Sequence, residues 1–188
     1  MSRKKNEPKI LLDSDVVIHF IKGGQSILLP KAYPGRFVML DKVHTELSGR
    51  HSDSLPIQNF LNWCGIPIIA MPLSKDIYKE YASLKKGMGD GEAACLAVAR
   101  YQKDFVASSN LSDIRTYCEQ NGIIYLTTMD ILLEIYEQGL LTEAECDQFI
   151  YDVKSKNSRL IDGIDTIEDY KIFKRGAIEE EVVSETKV

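Results

Sequence analysis

Apolar residues along this chain follow two rhythms. Short apolar runs occur in KILLDSD (9–15), RFVMLDK (36–42), IPIIAMP (66–72), DFVASS (104–109) and IIYLTT (123–128). Each is bounded by polar or turn residues and has the length of a buried strand. Between them, apolar positions return at helical spacing. VVIHFIKGG reads as a short helix stopped by Gly23 and Gly24, and VHTELSG as another after the second run. A polar loop from Arg50 to Ser54 leads to a third candidate helix, PIQNFLNWCG. In SKDIYKEYASLKK, Ile77, Tyr78, Tyr81 and Leu84 recur at helical spacing. GMGDGEAACLAVARYQ, LSDIRTYCEQN (ended by Gly122), TMDILLEIYEQG and TEAECDQFIYDVKSKN complete the set. Thr142 with Glu145 three residues on predicts a capping box for the last helix.

Strands alternating with helices through short connections predict an α/β fold, a central parallel sheet of about five strands with helices on both faces. A helical C-terminal extension is expected after it. The expected boundaries are a basic N-terminal leader at 1–8, the α/β domain at 9–150, the extension at 151–176, and an acidic tail at 177–188 that is disordered or loosely packed.

Composition narrows the function classes. At 188 residues, 44% hydrophobic and 27% charged, the chain has the make-up of a soluble globular protein. No apolar run approaches the roughly 20 residues that cross a membrane. The basic start MSRKKNEPK is not a secretory signal, because Asp13 and Asp15 interrupt the apolar stretch after it. A cytoplasmic location is expected. Cys64, Cys95, Cys118 and Cys146 are far apart with only three histidines in the chain, which argues against zinc and for reduced thiols. Cys95 and Cys118 read as small core residues. The net charge of −5 is not that of a non-specific nucleic-acid binder. A polyanion could be held only by a local basic rim or by bound metal ions.

The carboxylates carry the candidate chemistry. Asp90 and Glu92 open an apolar helix and are flanked by Gly89 and Gly91. Helix capping is a sufficient reason for either, at about 0.3–1 kcal/mol each, with Asp90 as the N-cap. Other acids fall at similar places, however. Asp13 ends the first strand, Glu46 lies on the helix after the second, and Ser108, Ser109, Asn110 and Asp113 follow the fourth. Open parallel sheets bind ligands at the carboxyl ends of their strands. Carboxylates gathered there would raise one another's pKa unless a cation joined them. A ring of hard oxygen ligands suits Mg²⁺ or Mn²⁺, and two such ions can activate a water and stabilise the leaving oxygen of a phosphodiester. Each residue also has a plain structural role. Asp15 reads as the N-cap of a helix starting near Val16, Glu46 as a surface glutamate, and Asp113 as helix-start charge. Ser108 and Ser109 could orient a metal water or cap the next helix. His19 and His44 read as ordinary helix residues, since nothing pairs them with a nucleophile.

ILLDSDVVI, residues 10–18, resembles the opening strand and helix of PIN-domain ribonucleases, where an aspartate precedes a small polar residue and an apolar helix. The segment around Glu46 is similar to that family's second acidic position. GDGEAACLAVA looks like the third, in the branch whose helix begins with Gly-Glu. Glu92 matches the family's acid there and Asp90 is an extra. VASSN matches the fourth-strand motif, and GIIYLTTMDILLEIYEQGLLTEAE the closing strand, helix and turn. The resemblance covers about residues 9–150. It implies a metal-dependent endoribonuclease like the VapC toxin of a toxin–antitoxin pair, with RNA as substrate, a small antitoxin as partner and a homodimer as assembly. Asp13, Glu46 and Glu92 would be ligands of Mg²⁺ or Mn²⁺, Asp90 an auxiliary acid, and Asn110 with Asp113 the fourth corner. Many relatives carry aspartate where this chain has Asn110, which weakens that corner. Two alternatives remain. One is a catalytically degenerate PIN-like module that binds nucleic acid or protein. The other is a haloacid-dehalogenase-like phosphatase, suggested by Asp13-Ser14-Asp15 and GDGEAA, although Ala93 and Ala94 stand where that family has Asn-Asp.

Overall fold

The computed structural model describes residues 7–50 and 55–185. Most of the expected basic leader (residues 1–6), most of the polar loop (51–54) and the end of the acidic tail (186–188) lie outside the described residues.

Five strands form one parallel sheet: β1 (Ile10–Leu12), β2 (Phe37–Leu40), β3 (Ile68–Ile69), β4 (Phe105–Ala107) and β5 (Tyr125–Leu126), in the order β3-β2-β1-β4-β5. The expected α/β fold is therefore present. β1 is central, and all three of its residues are fully buried, as a strand covered on both faces should be. Its register places Leu12 beside Ala107 of β4. Strand order reverses between these two neighbours, so their connections leave in opposite directions and open a crevice at their carboxyl ends. β3 is only two residues long and half-exposed, shorter than IPIIAMP suggested. It is the sheet edge, where one side of the strand has no partner.

The helices are α1 (Ser14–Lys22), α2 (Leu29–Ala32), α3 (Asp41–Arg50), α4 (Leu55–Cys64), α5 (Lys75–Leu84), α6 (Asp90–Gln102), α7 (Leu111–Asn121), α8 (Thr128–Glu137), α9 (Glu143–Ser155) and α10 (Ile167–Glu185). Residues 26–32, without an expected element, form a 3-10 turn running into α2, where Pro30 is tolerated in the first turn. α6 packs on β1, β2 and β4 and touches α3, α5 and α7. Gly91 through Ala99 are all buried, and the four alanines among them let this helix lie close to its neighbours. At Gly91 the approach is closest. A Cβ there would lie 2.8 Å from Glu46 Oε2 and 3.0 Å from Val43 of α3, so glycine is what lets α3 reach the start of α6.

Residue 150, the expected boundary, lies within α9. α9 runs past it to Ser155, and its Phe149 packs on Phe20 of α1 with ring centroids 5.1 Å apart. A Cβ on Gly23 would sit inside the Phe149 ring, 2.2 Å from Cδ2. α10 docks in turn through buried Ile167 and Tyr170, with Lys174 paired to Asp130 of α8. The helix continues through 177–185, so those residues of the expected loose tail extend α10. The Thr142–Glu145 capping box forms, and α8 has another from Thr127 and Asp130. All four cysteines are free and buried. Among the described residues no helix is long and apolar enough to cross a membrane.

Candidate functional site

The chain leaves β1 at Asp13, whose N–H donates to Ala107 O of β4 at 2.9 Å. That bond holds Asp13 at the mouth of the crevice. Its carboxylate accepts the Ser14 N–H at 2.7 Å and caps α1, so the helix begins at Ser14 and Asp13, not Asp15, is the N-cap. Asp15 is thereby freed to cross the crevice. Its Oδ2 accepts the Ser109 N–H at 2.7 Å and lies 3.4 Å from the Ser108 hydroxyl, which ties the loop after β4 to α1.

Asp13, Asp15, Glu46, Glu92, Asn110 and Asp113 line one cleft of about 310 Å³, together with Ser14 and Gly89. Glu46 enters from α3 and accepts the Gly91 N–H at 3.2 Å. Glu92, in the first turn of α6, is 6% exposed, and Asp13 is 4% exposed. Asn110 Nδ2 donates to Glu92 Oε1 at 3.1 Å and to Asp113 Oδ2 at 2.8 Å. Its Oδ1 accepts from the Ser112 hydroxyl at 2.9 Å. Two carboxylates on one side and a hydroxyl on the other fix which end of the amide is the donor. The amide thus puts N–H groups between two acids, in the place a cation would serve.

Among the described residues, Asp13, Asp15 and Glu92 form no ion pair with lysine or arginine. Burial, and after it the charges of Asp15, Glu92 and Glu46, pushes the Asp13 carboxyl well above the ordinary range, against the opposing Ser14 N–H. Burial and the neighbouring Asp113 raise Glu92 to about 7, although the Asn110 bond works the other way. Asp15 rises to about 6 through burial, held from going higher by the N–H groups of Ser109 and Val16.

Asp90 is placed elsewhere. It is the first helical residue of α6, not its cap; Gly89 holds the cap position without a side-chain bond. The carboxylate turns to Lys85 Nζ at 2.6 Å and to the Tyr81 hydroxyl, and does not line the cleft. Burial opposes ionisation there, but the bonds from Lys85 and Tyr81 prevail and hold Asp90 below its ordinary value. Ala93 and Ala94, where the dehalogenase-like pattern has Asn-Asp, are fully buried and offer nothing to the site.

The sequence passed over two groups. His19 is buried, its Nδ1 lies 2.8 Å from Thr128 Oγ1, and burial lowers it to about 4, so it is neutral. Arg159, in the segment after α9, reaches a second cavity beside the cleft. Contacts spanning a hundred residues leave no mark in local sequence pattern.

Buried Asp13 and Glu92, half-buried Glu46 and exposed Asp113 give the cleft oxygen donors, the kind a hard divalent cation takes. Among the described residues, no three histidine, cysteine, aspartate or glutamate side chains are grouped so that they could hold a metal ion as they stand. Comparison with protein-family models finds no match, and neither does comparison with curated proteins. Among solved structures the chain is similar to the crystal structure of VapBC2 from Rickettsia felis bound to a DNA fragment from their promoter, at 15% identity and a TM-score of 0.45, over 63% of this chain and 97% of that one. The fold assignment rests on strand order and register.

Proposed function

We propose that this protein is a metal-dependent endoribonuclease of the PIN-like kind, working from the acidic cleft at the β1/β4 crevice. One observation carries the reading: Asp13, Glu46, Glu92 and Asp113 come from four separate chain segments and line the same cleft. Capping accounts for single acids at helix starts, but it does not require four of them to share a cleft. Asp13, Glu46 and Glu92, with Asp113, would hold Mg²⁺ or Mn²⁺. Bound there, such ions supply a water that is nucleophilic at neutral pH and positive charge for the leaving oxygen of a phosphodiester. Positive charge is also what an RNA backbone needs before it can approach so many carboxylates. Asp15 acts through Ser109, holding the loop that carries Asn110 against α1. Gly91 keeps α3 close enough for Glu46 to reach the cleft.

The resemblance to toxin ribonucleases brings with it a small antitoxin as inhibitor and a homodimer as assembly. The test is cleavage of single-stranded and structured RNA by the purified full chain in Mg²⁺, Mn²⁺ or EDTA. Internal cleavage that needs either ion and vanishes in EDTA is expected. A binding module is the second reading, favoured by the Asn110 amide standing between Glu92 and Asp113. RNA binding without cleavage in any of the three conditions would select it.

A further inference from the structure

Next to the acidic cleft lies a larger cavity of about 510 Å³, within the ~300–1,000 Å³ typical of small-ligand sites. The two share Asp15 and Asn110 in their walls, so they adjoin. The outer wall of the larger one is Arg159, Leu160, Ile161 and Asp162, from the segment joining α9 to α10. That segment is clamped at both ends. Lys22 Nζ donates to Lys156 O at 2.7 Å and to the Ser158 hydroxyl at 2.8 Å, while Lys156 Nζ donates back to Lys22 O at 2.6 Å. At the far end Lys154 Nζ pairs with Asp165 at 2.8 Å. A wall fixed this way costs little to order when a ligand arrives.

Two side chains lining this cavity have polar atoms without a partner among the described residues. Arg159 has no hydrogen bond or ion pair with any described residue, and it is the cation among the residues lining either cavity. His19 is 5% exposed, and its Nε2 has no hydrogen-bond partner among the described residues. His19 Nδ1 shares a hydrogen bond with the Thr128 hydroxyl at 2.8 Å, and that hydroxyl also accepts from Ser109 Oγ at 2.8 Å. A buried ring nitrogen left without a partner is costly in either tautomer, and a ligand atom in the cavity would satisfy it. Met129 and Leu160 add apolar surface, and the Ser112 hydroxyl and the Asn110 amide add polar groups.

We propose that this cavity is the subsite for one unpaired nucleotide adjoining the phosphate at the acidic cleft, with Arg159 on its phosphate, and its base and sugar between Leu160, Met129 and His19 Nε2. The proposal rests on the nuclease reading of the neighbouring cleft and names its substrate class as single-stranded RNA. One cation matches one phosphate. The space holds one nucleotide and no duplex, so a paired base would have to leave its stack to enter. A basic peptide would be drawn to the carboxylates but repelled by Arg159.

The experiment measures binding of a fluorescent, cleavage-resistant 2′-O-methyl RNA tetramer to the full chain by anisotropy, with Mg²⁺ and with EDTA, across a salt series. The same four nucleotides paired within the stem of a longer 2′-O-methyl RNA hairpin serve as the duplex probe. Arg159 is exposed and unpaired, so Arg159→Ala and Arg159→Lys should fold as wild type does. In Mg²⁺, Arg159→Ala should weaken the tetramer by about 10-fold, the scale of a charged hydrogen bond. It should also lower the salt slope by about 0.7, the loss of one single-strand phosphate contact. Arg159→Lys should regain part of the affinity, and the duplex should bind at least 10-fold more weakly than the tetramer. Unchanged affinity and slope in Arg159→Ala overturn the subsite even if wild type cleaves RNA, which leaves the nuclease reading standing. Equal binding of duplex and tetramer overturns the unpaired nucleotide. Arg159-dependent binding in a chain that cleaves nothing supports the subsite while the nuclease reading falls.

Discussion

Asp90 and Glu92 stand two residues apart in the first turn of α6 and meet opposite surroundings. Asp90 faces Lys85 and Tyr81, and its negative charge is matched. Glu92 faces Asn110 and the acids of the cleft, and burial with Asp113 raises it to about 7. One carboxylate has a lysine beside it, and the other has an amide and further acids. The difference teaches that composition at a helix start does not identify a ligand; the compensation around each acid does.

The largest effect should come from Asp13→Asn. Asp13 sits at the centre of the unmatched side, and the change removes its charge while keeping its shape. RNA cleavage should fall by on the order of 10²-fold or more, the scale of losing a preorganised charge at a reacting centre. In EDTA the same variant should melt no lower than wild type, because the lost charge is one that burial disfavours. An active Asp13→Asn protein would move the chemistry out of this cleft.

The second effect is on stability against pH. Glu92 goes from an ordinary 4.5 to about 7 in the fold, and Asp15 from 3.8 to about 6. Across that span the folded chain holds more protons than the unfolded one, so stability falls as pH rises from about 4 to 7. In EDTA the melting temperature should be a few degrees higher at pH 5 than at pH 7.5, since ~1 kcal/mol moves a chain of this size by about 2–4 °C. Millimolar Mn²⁺ should recover much of the loss at pH 7.5 by binding the ionised acids of the folded state. A melting temperature at pH 7.5 that ignores Mn²⁺ would remove the reason for calling these acids unmatched.

Asn110→Asp sharpens the same contrast. It replaces the amide that bridges Glu92 and Asp113 with a third negative group. The Mn²⁺ concentration for half-maximal cleavage should drop by about 10-fold, within the range that ligand and supporting-shell changes cause. The metal-free protein should melt lower than wild type. If wild type is inactive and this variant cleaves RNA, the asparagine has retired a nuclease.

Much of this arrangement was open to the sequence. The alternation of strand and helix gave the sheet, and a strand ending at Asp13 pointed to the crevice. The helix period also bears on Asp90, because residues two apart do not share a helix face. If Glu92 points into the cleft, Asp90 points away from it. Other features had no local signal. Asp15 bonds to Ser109, Glu46 to Gly91 and His19 to Thr128, and each pair becomes adjacent only through packing of the sheet and helices. The packing on either side of residue 150 had no local signal either. α9 is held to α1 by Phe149 and the missing Cβ of Gly23, which the alternating pattern does not reveal.

The smallest effect is expected from Asp90→Asn, and it is the change that can break the comparison outright. The Lys85–Asp90 pair has side chains 51% and 33% exposed, so water screens it. Exposed pairs of this kind contribute about 0.2–1 kcal/mol. The asparagine can still accept from Lys85 and Tyr81, so the loss should sit at the low end of that range. Cleavage and the Mn²⁺ midpoint should stay within about 2-fold of wild type, because a few tenths of a kcal/mol is less than a 2-fold change. Asp90→Asn and Glu92→Gln assayed together give the sharpest reading. Each removes one charge from the same helical turn, and only Glu92→Gln should abolish the response to Mn²⁺. Should Asp90→Asn lose activity as deeply as Asp13→Asn does, Asp90 must turn from Lys85 into the cleft during the reaction, and the line between scaffold and site would have to be redrawn through α6.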